Sequence, residues 1–320
     1  MKKLKQLCAG ILAIGMVWTL SACGDTAAKE QSDGKIHVVA TIFPAYDFAR
    51  AVCGDAADVE LLLPPGAESH SYEPTPQDIL DVQNCGLFVC LGGESEAWVE
   101  TILDSLDSSV ETLKMTDCVK LLNEETMEGM TSHEDSGEHK AGEVVEIDEH
   151  VWTAPANAAK ITLAIGEKMA ELDSANAEVY RANAKQYAAQ IGELDGEFQT
   201  FFSSVSNKTL IFGDRFPLRY FAEEYGLTCY AAFPGCSTQT EPSAATIAFL
   251  TDKVRQEDIS TVYYIEFSNH LVADSIAEAT GAGTALFHTC HNVSQADLDA
   301  GATYVSLMRT NLETLRQTMQ

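Results

Sequence analysis

Asp148-Glu149-His150-Val151-Trp152-Thr153-Ala154-Pro155 is the stretch from which the fold can be read. Acidic residues crowd against one histidine, a tryptophan and a proline follow, and no further proline interrupts Ala156 to Val205. Proline-free chain of that length reads as a helical connector, because proline in a helix interior removes a hydrogen bond and clashes with the preceding turn. On both sides of it, short β-branched strands alternate with amphipathic helices, and each side carries a histidine in a loop. The pattern predicts two α/β lobes facing each other across a cleft, each a mostly parallel sheet flanked by helices, joined by one long rigid helix.

Toward the N-terminus, Ile36–Ile42 has the β-branched content of a buried strand, and Phe43-Pro44 turns it into a helix through Ala51. Val59–Leu63 is the next strand and runs into Pro64-Pro65-Gly66-Ala67-Glu68-Ser69-His70-Ser71-Tyr72-Glu73-Pro74-Thr75-Pro76. Four prolines and a glycine make that loop irregular but stiff, so it holds His70 at low entropic cost. Thr75-Pro76 starts a helix with a capping residue and a proline at the first helical position. Gly86–Gly92 and Val110–Met115 complete the strands of this lobe, with a helix over Ala97–Leu106. Ligands of such sheets gather at the carboxyl ends of strands, where His70 stands. Leu121–Glu149 breaks the alternation. It is polar and acidic and contains His133 and His139, so it reads as a mobile loop whose histidines could capture or relay metal weakly.

Toward the C-terminus, Asn157–Leu172 shows a helical apolar face, Asp173-Ser174 interrupts it, and a second helix runs from Ala175 to about Phe202. At 1.5 Å per residue that second helix is roughly 40 Å long, enough to span both lobes. A continuous helix resists bending, so the lobes should close by little. Strands then follow at Thr209–Phe212, Leu227–Phe233, Thr261–Phe267 and Thr284–Phe287, with helices over Leu218–Tyr225, Ala244–Arg255, Leu271–Thr280 and Ala302–Met319. The expected organisation is a signal peptide at 1–22, a flexible tether at 23–34, a first lobe at 35–173 with the acidic loop 121–149, a linker helix at 174–204 and a second lobe at 205–320.

The N-terminus is basic, and its apolar run from Leu7 to Leu20 is too short to span a bilayer, which takes about 20 residues. Leu20-Ser21-Ala22-Cys23 resembles the lipobox of bacterial lipoproteins, which makes Cys23 the expected acylation site and places the chain on the outer face of the cytoplasmic membrane. The net charge is −28, and loss of Lys2, Lys3 and Lys5 with the signal takes it to −31. Nucleic acid is excluded as a partner, since binding it requires Lys and Arg to neutralise phosphates. Strong acidity suits solubility and cation attraction. Of nine cysteines, seven remain beyond Cys8 and Cys23, an odd number without any CxxC spacing, and most sit in apolar strand-like surroundings as small buried hydrophobes.

His70 and His150 both sit where the cleft would lie. Neutral imidazole is a common ligand of divalent transition metals, and its other ring nitrogen usually donates to a carboxylate or carbonyl. Asp148 and Glu149 are both near enough in sequence to serve His150, and spacing does not choose between them. Together, the Pro64–Pro74 and Asp148–Pro155 stretches resemble the two signature segments of the zinc/manganese substrate-binding lipoproteins of ABC importers. The resemblance runs from about Ile36 to the C-terminus, through Tyr225-Gly226-Leu227 and Glu241-Pro242-Ser243.

The resemblance implies a metal held between two lobes and delivered to a membrane permease and its ATPase by a monomeric binding protein that is not an enzyme. The family's first two histidine ligands map onto His70 and His150. At the third position stands Arg215, which cannot bind a cation, and its neighbour Asp214 is the nearest donor. At the fourth, usually an acid ending the last strand, stands His288, with Cys290 and His291 just beyond; Cys236 is a further candidate, and Glu266 ends a strand where it could simply hydrogen-bond a loop. A site of His70, His150, Asp214 and His288 favours Zn2+, with Mn2+ the rival as oxygen donors increase. A secreted zinc hydrolase is a different class, but the sequence has no HExxH or GxSxG. A metal-buffering surface adhesin is a third.

Overall fold

A computed structural model describes residues 34–93, 96–106, 110–125, 127–130, 147–235 and 242–319. The expected signal peptide and most of the tether, with Cys23, lie outside the described residues, as do His133, His139, Cys236 and the side chain of His70. Among the described residues no helix is long and apolar enough to cross a membrane.

Among the described residues eight strands form two separate four-stranded sheets, and every pairing in both is parallel. The first contains β1 (Ile36–Ala40), β2 (Ala57–Leu61), β3 (Leu87–Cys90) and β4 (Thr112–Lys114) in the order β2-β1-β3-β4. The second contains β5 (Thr209–Phe216), β6 (Thr228–Pro234), β7 (Thr261–Tyr264) and β8 (Gly283–Leu286) in the matching order β6-β5-β7-β8. Helices α1 (Phe43–Cys53), α2 (Pro76–Asn84) and α3 (Ala97–Ser105) connect the first set, and α6 (Arg219–Tyr225), α7 (Ala244–Gln256) and α8 (Leu271–Thr280) the second. Parallel neighbours need such crossovers, because a tight hairpin reverses direction. The Thr75 hydroxyl and Asp78 carboxylate close a capping box at the start of α2, as the Thr75-Pro76 signal anticipated.

Between the sheets run α4 (Pro155–Leu172) and α5 (Ala177–Ser204), packed against each other. Gly166 permits their approach, since a Cβ there would lie 2.5 Å from that of Ala184. At one end α5 packs on α1, and toward the other it meets α6 and the closing helix α10 (Tyr304–Thr318), so it reaches from one sheet's layer to the other's. Period-two alternation in the strands then sorts the core. Val38, Phe212 and their in-facing neighbours join Phe48, Trp152, Tyr180, Phe198 and Phe287 in a single apolar mass that runs through both lobes. Val39 and Phe88 point the other way, under Trp98 and Ile102, and Ile211 and Val262 do the same under Leu250 and Ile276. The lobes are two, yet the core between them is one, and Ile36–Gln320 forms one compact unit.

Two elements differ from expectation. β5 does not end at Phe212 but continues to Phe216 through a register shift between Phe212 and Arg215. Such a bulge re-aims the residues within it. A short helix, α9 (Gln295–Asp299), precedes α10 and is capped by the Ser294 hydroxyl.

Candidate metal site

His150 caps a single 3₁₀ turn, Val151–Thr153, at the entrance to α4. Its backbone N–H and its Nδ1 both meet Asp148 Oδ1, at 2.9 and 3.1 Å, and both side chains are buried. A carboxylate accepts, so Nδ1 carries the proton and Nε2 keeps the lone pair a metal needs. Of the two acids left open by the sequence, Asp148 therefore orients the ring. Asp148 is itself fixed, because its carbonyl accepts the Tyr220 hydroxyl at 2.7 Å. Gly235 makes room for the imidazole: a Cβ there would stand 3.3 Å from His150 Cε1 and 3.0 Å from Phe216 O.

The second lobe reaches His150 through the loop after β8. Cys290 adopts a left-handed φ of 62°, which turns the chain so that His291, not His288, faces His150. The two rings lie 5.8 Å apart, and the Trp152 ring packs within 5.4 Å of His150 and 5.1 Å of His291. Ser69 of the first lobe places its hydroxyl 2.7 Å from His291 Nε2. The loop is tied down throughout. Glu266 Oε2 accepts Thr289 N–H at 2.8 Å, and Oε1 accepts the Thr289 hydroxyl at 2.5 Å and His291 N–H at 3.2 Å. Trp152 Nε1 donates to Thr289 O, and Asn292 Nδ2 donates to Pro64 O and Ala67 O, each at 2.9 Å. These last bonds lash the proline-rich loop of one lobe to the final loop of the other.

The sequence-derived candidates are thus dispersed. His70 lies by its backbone in the 3₁₀ turn Ser69–Ser71, next in the chain to Ser69, which lines a pocket with His150, Glu266 and His291. His288 does not line that pocket: its Nδ1 accepts Cys290 N–H at 2.9 Å, and Asn311 holds its backbone on both sides. Asp214 does not line it either. It sits in the β5 bulge, where Oδ1 accepts Arg215 N–H at 2.8 Å and Oδ2 accepts Ile265 N–H at 3.4 Å, so its carboxylate serves the backbone of two strands. Arg215 does face the pocket, and its Nη1 meets Glu68 Oε2 at 3.0 Å. Among the described residues, no group of three or more His, Cys, Asp and Glu side chains is gathered as a metal cage.

Sequence reasoning missed Ser69 and the Glu68–Arg215 pair. Partners so far apart in the chain leave no local signal. The cysteines behave as small hydrophobes: Cys53, Cys90 and Cys290 are buried thiols, and Cys85, Cys118 and Cys229 are partly buried thiols. Burial raises the Cys53 thiol to about 12 and the Cys85 and Cys118 thiols to about 11, which leaves them protonated and poor metal ligands at neutral pH.

Two parallel-sheet lobes with imidazoles from both meeting at strand ends define a two-lobed α/β binding protein. The family model described as "ZnuA: Zinc-uptake complex component A periplasmic" matches residues 38–318, and the chain belongs to that family. It is 33% identical over 320 residues to the zinc-binding lipoprotein AdcA of Streptococcus pneumoniae, covering 99% of this chain but 61% of that relative. It is 32% identical to the high-affinity zinc uptake system protein ZnuA of Bacillus subtilis, covering 97% of each. The crystal structure of the Zn(II)-bound ZnuA-like domain of the Streptococcus pneumoniae AdcA superposes with a TM-score of 0.73 at 31% identity, over 89% of this chain and 99% of that one.

Proposed function

We propose that this chain is an extracytoplasmic solute-binding lipoprotein that captures Zn2+ between its lobes and passes it to the permease and ATPase of an ABC importer. One observation carries the reading: His150, its Nδ1 held by the Asp148 carboxylate, faces a histidine of the opposite lobe in a shared pocket. The relatives named above as zinc-binding and zinc-uptake proteins point to the same cargo. Histidine donors suit Zn2+ better than Mn2+, which prefers oxygen. The donors we assign are His70 and His150 from the first lobe and His291 from the second. His288 and Asp214 act behind them, one in the turn that presents His291 and the other in the bulge that presents Arg215. Lipid on Cys23 would hold a monomeric protein at the outer face of the membrane, and its work is binding and transfer rather than turnover.

Calorimetric titration of metal-stripped protein with Zn2+ tests this. His150→Ala and His291→Ala should each weaken binding by at least about 100-fold, more than the usual effect of losing a residue behind the ligands. His288→Ala should cost about tenfold. If His288→Ala is crippled while His291→Ala binds like the parent, the second-lobe donor is His288. A parent protein that binds no Zn2+ sinks the reading altogether.

A further inference from the structure

Among the described residues two carboxylates line the pocket, Glu68 and Glu266, and each is already engaged by protein donors. Glu266 is committed to the loop that carries His291, as described. Glu68 is different. It belongs to the proline-rich loop two residues before His70, its side chain is 42% exposed, and among the described residues it pairs with Arg215 of the opposite lobe. A half-exposed glutamate can change rotamer, so the guanidinium is what engages its carboxylate at the pocket wall.

Arg215 suits this task. A guanidinium stays charged at any relevant pH and has no lone pair to offer a metal. Its position is built, because the β5 bulge aims it and the Asp214 carboxylate ties the bulge to Ile265, just past β7. A fixed positive charge at the rim of a cation site is unfavourable unless neutralised, and Glu68 neutralises it.

We infer that the Glu68–Arg215 pair sets metal selectivity: Arg215 withholds the Glu68 carboxylate from the metal, so the sphere stays rich in imidazole nitrogen and poor in oxygen. The inference rests on the metal-capture reading above and names what decides between metals at that site. Manganese, which draws its affinity from oxygen donors, is then disfavoured relative to zinc. The plainer role, a cross-lobe ion pair at a partly exposed rim, would contribute little and would not distinguish metals.

The test is a set of Zn2+ and Mn2+ titrations of the parent, Arg215→Gln, Glu68→Gln and the double variant, with the Mn2+ electron paramagnetic resonance spectrum recorded for each. Arg215→Gln frees the carboxylate and should raise Mn2+ affinity about tenfold, narrowing the Zn2+/Mn2+ ratio and changing the Mn2+ spectrum. The double variant, lacking that carboxylate, should fall back to the parent's weak Mn2+ binding. Glu68→Gln leaves the guanidinium uncompensated and should weaken both metals together. Equal gains in Mn2+ affinity for Arg215→Gln and the double variant would overturn the proposal, since charge removal alone would then explain them. Equal losses for both metals in Arg215→Gln would reduce the pair to a tie between lobes. A parent that binds Zn2+ while Arg215→Gln leaves Mn2+ unchanged sinks this inference alone, whereas a parent that binds no Zn2+ sinks the capture reading.

Discussion

Each lobe buries one glutamate beyond the carboxyl end of the same strand in its sheet, Glu96 after β3 and Glu266 after β7. Their surroundings send them opposite ways. Glu266 meets two backbone N–H groups and a hydroxyl, so each of its oxygens has a donor. Glu96 accepts from Leu91 N–H at 2.9 Å, and its Oε1 has no well-formed bond among the described residues, although the Thr41 hydroxyl beside it weakly favours the charged form. Burial raises its carboxyl to about 7, and the charge of nearby Glu149 adds to the effect. At like depth, well-formed donors make one carboxylate a loop anchor, while poorly served burial raises the pKa of the other.

The largest effect that would sharpen this contrast is expected at the anchor. Glu266→Gln keeps the shape but leaves one accepting oxygen where two worked, so the Thr289–His291 loop loosens. Zn2+ affinity should fall about 100-fold, or about 2.7 kcal/mol, in a competition titration. An affinity within a factor of three of the parent would show that the loop holds without it.

A smaller effect belongs to Glu96 and appears in stability rather than binding. Its folded-state pKa is raised, so the native state keeps a proton that the unfolded chain releases. The stabilisation is complete below the ordinary value of 4.5 and is lost as pH rises through about 7. Between pH 5 and 8 the parent should lose on the order of 2 kcal/mol from this group, and Glu96→Gln should not. Urea unfolding at both pH values checks this; identical pH slopes for parent and variant would refute it.

The smallest expected change is at Asp148. Asp148→Asn retains a hydrogen bond to His150 but no longer dictates the tautomer, and Zn2+ affinity should drop about tenfold, or about 1.4 kcal/mol. A loss as large as that of Glu266→Gln would mean that the two lobes grip their histidines alike.

The architecture could be read from the sequence because parallel strands buried on both faces are strongly β-branched and their helices are strongly periodic. Ile36–Ala40, Thr261–Tyr264 and the long run behind Pro155 all announce themselves in this way. The first-lobe side of the pocket was legible too, since His150 and its partner Asp148 are two residues apart. The second-lobe side was not. Whether His288 or His291 faces inward turns on the left-handed backbone of Cys290, a conformation that a non-glycine residue does not advertise. Arg215 was visible at the third ligand position, but its pairing was not, because the β5 bulge aims it and its partner Glu68 is 147 positions distant.

The continuous core has a consequence for how cargo could escape. A hinge needs a plane crossed by few apolar contacts, and here Trp152, Phe198 and Phe287 belong to one mass shared by both sheets. Wide jaw-like opening would expose that mass to water. On the proposed function, escape would fall to rotating side chains and shifting loop ends at the rim, movements of nanoseconds to microseconds. A transporter of the proposed kind would have no jaws to prise apart; it would have to unlatch the rim.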